Sequence, residues 1–353
     1  MNEALTFLLF ALIKSVLVIF VLLTAIAYTT LLERKVVGRM QNRWGPTRVG
    51  PFGLLQPLAD GIKFILKEDV TSPNVHKFLF LLAPMLALVT GLASISLVPF
   101  GNQITVEGKS TSLQITGVLA ADSNTDIAIG LLILLGITSL GVYGIALAGW
   151  SSNSKYSLLG SLRASAQMIS YELSLGLSVV GVLILAGSFS LRQIVNSQSG
   201  GVLHWFIWPQ LLGFFIYLTS AYAETNRIPF DLPEAETELV AGYHTEYSSM
   251  KFAMFFMAEY ANMFTVACVA TLLFFGGWSG PVPGFLPPIL QMLMPVFWFA
   301  FKIFLFIFLY IWVRGTLPRF RYDQLMAFGW KVLLPLAIAN IIVTSAIVAF
   351  WPQ

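Results

Sequence analysis

The sequence predicts an all-α, polytopic membrane protein with about eight transmembrane helices, a surface amphipathic helix and structured cytoplasmic loops. Three observations predict it. Of 353 residues, 57% are hydrophobic and 10% are charged, and the mean hydropathy is +0.80; a soluble chain of this size wraps its core in far more polar surface. The apolar residues form continuous runs of about 20, the length of a membrane-spanning helix, without the alternation of an outer-membrane barrel. Sixteen of the twenty Lys and Arg residues fall in alternate loops or on the first residue of the span that follows, the asymmetry that orients a membrane protein.

In chain order, the expected spans are 5–32, 77–100, 126–149, 162–187, 202–223, 251–275, 289–313 and 331–351. The first is overlong and must tilt or project. It follows Met1-Asn2-Glu3 with no basic n-region, so it reads as a span and not as a cleaved signal peptide. The basic loops, about 33–76, 150–163, 224–250 and 314–330, are assigned to the cytoplasm, with both termini on the outer side. The remaining connections, 102–125, 192–201 and the Gly/Pro-rich 276–288, read as connectors. No internal repeat or composition break divides the chain, so a single membrane domain, 1–353, is expected.

The first basic loop contains a helix of another kind. Over 52–68, Leu54, Leu55, Leu58, Ile62, Ile65 and Leu66 share one face, and Asp60, Lys63 and Lys67 the other. Pro57 falls in the first turns, where its missing N–H costs little. The pattern fits equally a helix lying on the membrane and a lid packed on its own protein.

Composition excludes several chemistries. There is one cysteine, Cys268, so no disulfide can form within the chain and no iron–sulfur cluster can be held. The three histidines, His76, His204 and His244, lie outside the expected spans or, for His204, at the very edge of one, which excludes a membrane haem between facing helices. Gly108-Lys109-Ser110 ends like a nucleotide-binding loop, but Gln103 stands where the first glycine is required. A net charge of +3 gives no reason to invoke nucleic acid.

Four charges lie well inside the expected spans, away from their ends: Lys14, Glu172, Glu259 and Lys302. A charge at mid-membrane costs roughly 2.5–3.5 kcal/mol, so such groups face the protein interior. Each fits either a proton relay or a buried structural pair. Between spans five and six, residues 224–247 concentrate Glu224, Asp231, Glu234, Glu236, Glu238 and Glu246 around Arg227. Asp231-Leu232-Pro233-Glu234 has the form of a helix start, and Gly242 of a stop. Apolar Ile228, Phe230, Leu239 and Val240 are woven among the acids, which favours packing over a solvated loop. Coupled carboxyls of this kind pass protons among themselves and titrate as a set. The last basic loop, with Arg314, Arg319 and Arg321, fits lipid-headgroup contact, or pairing with these acids or with a docked partner.

Four segments carry a resemblance: ERKVVGRMQNRWGPTRVGPFGLLQPLADGIKFILKED, AGWSSNSKYSLLGSLRASAQMISYELSLG, ETNRIPFDLPEAETELVAGYHTEYSSMKFAMFFMAEY and RGTLPRFRYDQLM. In them the chain resembles the H-type membrane subunit of proton-pumping NADH:quinone oxidoreductase, respiratory complex I, and its mitochondrial counterpart. The resemblance implies a bacterial inner-membrane subunit at the heel of an L-shaped complex. It implies no cofactor bound by this chain, quinone (ubiquinone in many members) as substrate, and FMN and iron–sulfur clusters in partner subunits. Expected partners are the peripheral quinone-site and iron–sulfur subunits, small and antiporter-like membrane subunits, and lipid. By the same resemblance, Arg34, Asp60, Phe230 and Arg314 line or frame the quinone entrance. Glu172, Glu224, Glu234, Glu236, Glu238 and Glu259 form an acidic proton-coupling funnel, joined by Asp231, Glu246 and Lys302. No catalysis is expected from the isolated chain.

Two other readings fit parts of the pattern. A membrane anchor of a related hydrogenase complex would share the acidic loop. A stand-alone ion transporter would account for the mid-span charges, but less well for the long charged loops.

Overall fold

The computed structural model describes residues 3–106, 109–114, 129–231, 240–282 and 287–350. In order these form α1 (Glu3–Met40), α2 (Gln56–Leu66), α3 (Lys77–Ile95), β1 (Pro99–Val106), β2 (Lys109–Gln114), α4 (Gly130–Ser139) and α5 (Gly141–Ser151). There follow α6 (Lys155–Ala186), α7 (Leu191–Ser197), α8 (Leu211–Glu224), α9 (Ser249–Phe274), α10 (Pro288–Thr316), α11 (Tyr322–Phe328) and α12 (Leu334–Phe350). A π-helical turn, Gly329–Leu333, makes α11 and α12 one continuous rod. Helices α4 and α5 form one crossing, interrupted at Leu140.

Among the described residues, seven helical stretches are long and apolar enough to cross a membrane. The expected span 202–223 is shorter than its composition suggests: α8 has 14 residues, about 21 Å of helix against a hydrocarbon core of about 30 Å. Gly200 and Gly201, at φ +126° and +115°, turn the chain before it, and Val202–His204 is a single 3-10 turn. Two connectors have structure of their own. Pro99–Val106 and Lys109–Gln114 pair as antiparallel strands, and 191–197 form a short helix whose Ser190 hydroxyl accepts from Gln193 N at 3.3 Å.

Helix α6 is the axis of the bundle, packing on α5, α8 and α12, while α9 packs on α3. Small and polar residues let these helices approach, as is usual where apolar burial gives no contrast with lipid. Ser94 and Thr265 hydroxyls meet at 2.9 Å between α3 and α9. Gln210, before α8, donates to Thr344 at 2.7 Å and accepts from Asn340 at 2.8 Å, both on α12.

The alternating crossings gather the basic and acidic loops on one face, hereafter the charged face. There α2 buries none of its residues. Leu58, Ile65 and Leu66 are exposed, so its apolar side is not packed on its own chain. Its far end is fixed to α9: Ser249 Oγ lies 2.8 and 2.9 Å from the carbonyls of Phe64 and Lys67, and Lys251 pairs with Asp69 at 2.9 Å.

Candidate functional site

The site begins where α8 ends. Asn226, at φ +51°, turns the chain, and a cis peptide joins Ile228 to Pro229. This turn directs Arg227 inward, where it is buried. One buried amide holds the turn. Gln167 Nε2, on α6, donates to the carbonyls of Ala223 at 2.8 Å and Phe230 at 2.7 Å. The far end of the loop seats on the same helix because Gly160 lacks a side chain; a Cβ there would stand 2.7 Å from Gly242 Cα.

Arg227 is the centre of a buried charge cluster. Its Nε lies 2.6 Å from Glu259 Oε1 on α9, and its Nη1 3.6 Å from Glu33 Oε2 on α1. Arg314, on α10, pairs with the other oxygen of Glu33. Tyr260 Oη donates to Glu33 at 2.6 Å, and the Tyr260 ring lies under the Arg227 guanidinium at 4.1 Å. Two carboxylates and two guanidiniums balance in charge, which permits such burial at all.

From Glu259 the polar groups continue across the bundle. A cavity of about 30 Å³ has both Glu224 and Glu259 in its wall, with Asn226, Asn262 and Thr225. That is enough for water, which needs roughly 10–15 Å³. Glu224 lies within electrostatic range of Glu172 on α6, and Glu172 is half-buried beside Ser139, next to the α4–α5 break. Glu33, Arg227, Glu259, Glu224 and Glu172 thus form one row from α1 to α6.

The arginine loop packs on the acidic one. Arg319 Nη2 bonds Asp231 at 2.9 Å, and Phe320 N donates to Pro229 O at 3.1 Å. Phe230 is buried between Tyr171 and Phe320, with ring centroids at 5.7 and 5.6 Å. Of the sequence readings for the last basic loop, pairing with the acidic loop holds for Arg319; Arg314 pairs with Glu33 on α1 instead.

Arg34 and Asp60 meet on the surface at 2.8 Å, with Lys63 at 3.3 Å from the same carboxylate. Partial burial pushes the Asp60 carboxyl up, but Arg34 and Lys63 outweigh it and hold the group below its ordinary value. Glu246 is half-buried on the loop and joins none of the ion pairs among the described residues. Glu234, Glu236 and Glu238, with the expected helix start after Asp231, lie outside the described residues.

Two span charges stand apart from the row. Lys302 Nζ donates to the carbonyls of Phe275, Gly277 and Ser279 at 2.7, 2.8 and 2.7 Å, with the Trp205 ring 4.4 Å away. It clamps the loop beyond the end of α9 remote from Glu259. Lys14 is exposed, and Ser15 beside it lines a cavity with Ala93 and Ser96 at the far end of α3. Lys14 therefore sits near the opposite rim of the bundle and not deep in its span.

Sequence pattern alone does not single out Glu33, Gln167 or Tyr260. For Glu33 a signal exists: it is an acid opening a run of bases, Arg34, Lys35 and Arg39. Beside Glu33, an apolar cavity of about 560 Å³ runs between α1, α9 and α10, from Val18 to Thr29 and Leu32 along α1. Among the described residues, no three His, Cys, Asp or Glu side chains group as metal ligands do.

The chain matches the family model described as NADH dehydrogenase over residues 13–345. It is 76% identical over 352 residues to an H-type chain of the NADH-quinone oxidoreductase of Koribacter versatilis, covering 99% of both chains. It is 47% identical over 398 residues to an H-type chain of the same enzyme from Solibacter usitatus, covering 98% of each. With the H-type chain of the enzyme from Protochlamydia amoebophila it shares 52% identity over 322 residues, 91% of this chain and 92% of the other.

Proposed function

Because the chain belongs to the NADH dehydrogenase family and is a membrane subunit of an NADH-quinone oxidoreductase, we propose that its buried charge row couples quinone reduction to proton movement. The observation that carries this reading is the sharing of Arg227 between Glu33 and Glu259. One cation between two acids gives the row two alternative pairings. A charge arriving near either acid shifts the balance between them.

In this reading quinone enters near Arg34 and Asp60, with α2 at the mouth, and its apolar tail follows the cavity between α1, α9 and α10. Phe230 and Arg314 frame the inner end. Two electrons arrive from iron–sulfur clusters in partner subunits, fed through FMN. Two protons convert the quinone to quinol, and the groups that give them up are left more negative. The nearest carboxylate, Glu33, responds by drawing Arg227 and Arg314 closer or by taking up a proton. Drawing Arg227 toward Glu33 loosens it from Glu259, whereas protonating Glu33 would leave Arg227 to Glu259 alone, so the first response is the one that opens the route. Glu259 then exchanges a proton with Glu224 through the small cavity, and Glu224 with Glu172. The acids from Asp231 to Glu246, with Glu234, Glu236 and Glu238 between them, would supply protons from the charged face. Antiporter-like subunits beyond α6 would receive the shift.

The charged face would be cytoplasmic, with both termini outside the inner membrane. Among the described residues, Lys302 Nζ bonds three backbone carbonyls and faces one ring, which favours a clamp over a proton carrier.

The test is Glu259→Gln in the assembled complex, read as NADH-driven quinone reduction and as proton uptake by vesicles. Coupled turnover should fall on the order of tenfold or more, equivalent to about 1.4 kcal/mol of barrier, while the subunits still assemble. Wild-type turnover and pumping in that variant would overturn the proposal.

A further inference from the structure

A second polar cavity lies on the charged face, away from the row. It has a volume of about 460 Å³, and His76, Trp150, Asn153, Ser154, Lys155 and Leu158 line it. Two segments build it, the residues before α3 and the turn between α5 and α6. They are tied by His76 N to Ser151 O at 3.1 Å and by Asn153 Nδ2 to Asn74 O at 3.3 Å. The walls are therefore held by the chain's own hydrogen bonds, one between backbones and one from the Asn153 amide, and do not depend on an occupant.

Three features define what would fit. The first is charge. No acid occurs between Asp69 and Val106, nor between Asp126 and Glu172, whereas His76, Lys77, Lys155 and Arg163 fall in these stretches. The two segments that build the cavity thus carry bases and no acid. The second is depth. The cavity lies where α3 begins at Lys77, α5 ends at Ser151 and α6 begins at Lys155, the level at which spans meet lipid headgroups. The third is its mixed wall. Lys155 and His76 offer N–H donors, and the Ser154 hydroxyl makes no capping bond to its own helix. Trp150 is 66% exposed and Leu158 38% exposed, an indole and an isobutyl group beside the cations, as at a membrane interface.

We propose that this cavity binds the phosphate of an anionic phospholipid. Lys155, His76 and Ser154 hold the phosphate oxygens, and Trp150 and Leu158 cover the first carbons of the acyl chains. Inorganic phosphate would satisfy the same donors but leave Trp150 and Leu158 facing water, so the lipid is the better match. The contacts are charge-assisted hydrogen bonds to a phosphate, which Lys makes as a compact point charge.

The test uses the intact complex in nanodiscs of phosphatidylcholine, with or without phosphatidylglycerol. An amine-reactive reagent is applied, and labelling at Lys155 is read by peptide mass spectrometry against exposed Lys331. Phosphatidylglycerol should lower labelling of Lys155 several-fold and that of Lys331 much less. Inorganic phosphate added to the phosphatidylcholine discs should not reproduce the effect. In parallel, native mass spectrometry of the complex carrying His76→Gln and Lys155→Gln should retain one phosphatidylglycerol fewer than wild type. Equal Lys155 labelling in both discs, equal protection by inorganic phosphate, or an unchanged lipid count would each overturn the assignment.

Discussion

Tyr260 donates its phenol proton to Glu33 at 2.6 Å while its ring lies 4.1 Å beneath the Arg227 guanidinium. One side chain on α9 thus touches both signs of charge in the buried cluster. It fixes where the carboxylate of α1 sits relative to the arginine of the acidic loop.

Tyr260→Phe separates these two contacts. The ring and its cation contact stay; the hydrogen bond to a charged acceptor goes. Such bonds contribute about 1.5–3 kcal/mol. Thermal unfolding of the complex should shift down accordingly, and quinone reduction should slow several-fold. Tyr260→Leu, which removes both contacts, should be worse in both assays. Equal behaviour of Tyr260→Phe and wild type would show that the ring, and not the phenol, matters.

Gln167 predicts a purely structural effect. Its amide is the donor for the Phe230 carbonyl in a buried turn. Gln167→Leu keeps the volume roughly but strands that acceptor, at a cost of about 1–3 kcal/mol. The 226–231 turn should then exchange its amide hydrogens faster. Activity should fall in proportion to loss of assembled complex, with the pH profile of the remaining enzyme unchanged.

Asp231 and Arg319 should be coupled in a double-mutant cycle. Asp231 is buried, but the Arg319 side chain is 32% exposed, so a coupling on the order of 1 kcal/mol is expected, nearer to surface than to core pairs. A direct readout is trypsin cleavage after Arg321, which should accelerate in Asp231→Asn as the arginine loop lifts. Unchanged cleavage would mean that the Phe230–Phe320 contact alone seats the loop.

His244 governs part of the acid stability. It is buried against Tyr243, Phe252 and Phe255, and burial lowers its pKa from 6.5 to about 3. Between those values the unfolded chain binds a proton that the folded chain does not. Its contribution is therefore fully present above pH 6.5 and is lost progressively as pH falls toward 3. Asp60, also held below its ordinary value, acts only lower, from 3.8 downward. His244→Phe should flatten the stability loss between pH 6 and 4, measured by thermal unfolding, while leaving the limb below pH 4 in place.

Much of this architecture is legible in the sequence, and the exceptions have physical reasons. The apolar runs and the basic asymmetry report burial in lipid, so they locate the crossings. They do not reveal that Gly200, Gly201 and the 3-10 turn after them take residues 202–210 out of α8, because composition does not register backbone turns. Glu224 and Glu259 are legible as costly acids in an apolar setting. Glu33 is not, because a run containing Arg34, Lys35 and Arg39 reads as basic. Only the packing of α1 on α10 turns that acid inward. Gln167 carries no charge, so no sequence rule marks it; its importance comes from two carbonyls 56 and 63 residues away.

Lys302 shows the same limit, and it yields the sharpest contrast with the charge row. Its position near the middle of α10 suggests a mid-membrane charge, but α9 ends at Phe274, level with it, and the loop after that end supplies three carbonyls. A lysine ammonium has three donors and fills all three acceptors. Lys302→Met should leave those carbonyls without their shared donor, at about 1–3 kcal/mol each where no water reaches them. Lys302→Arg should rescue poorly, since a planar fork cannot face three converging carbonyls in place of a compact ammonium. Both variants should lower the yield and thermal stability of the complex. Turnover per assembled complex should stay near wild type, unlike in Glu259→Gln. A normal yield with lost proton pumping in Lys302→Met would instead put the lysine in the proton route, and the clamp would not be its main role.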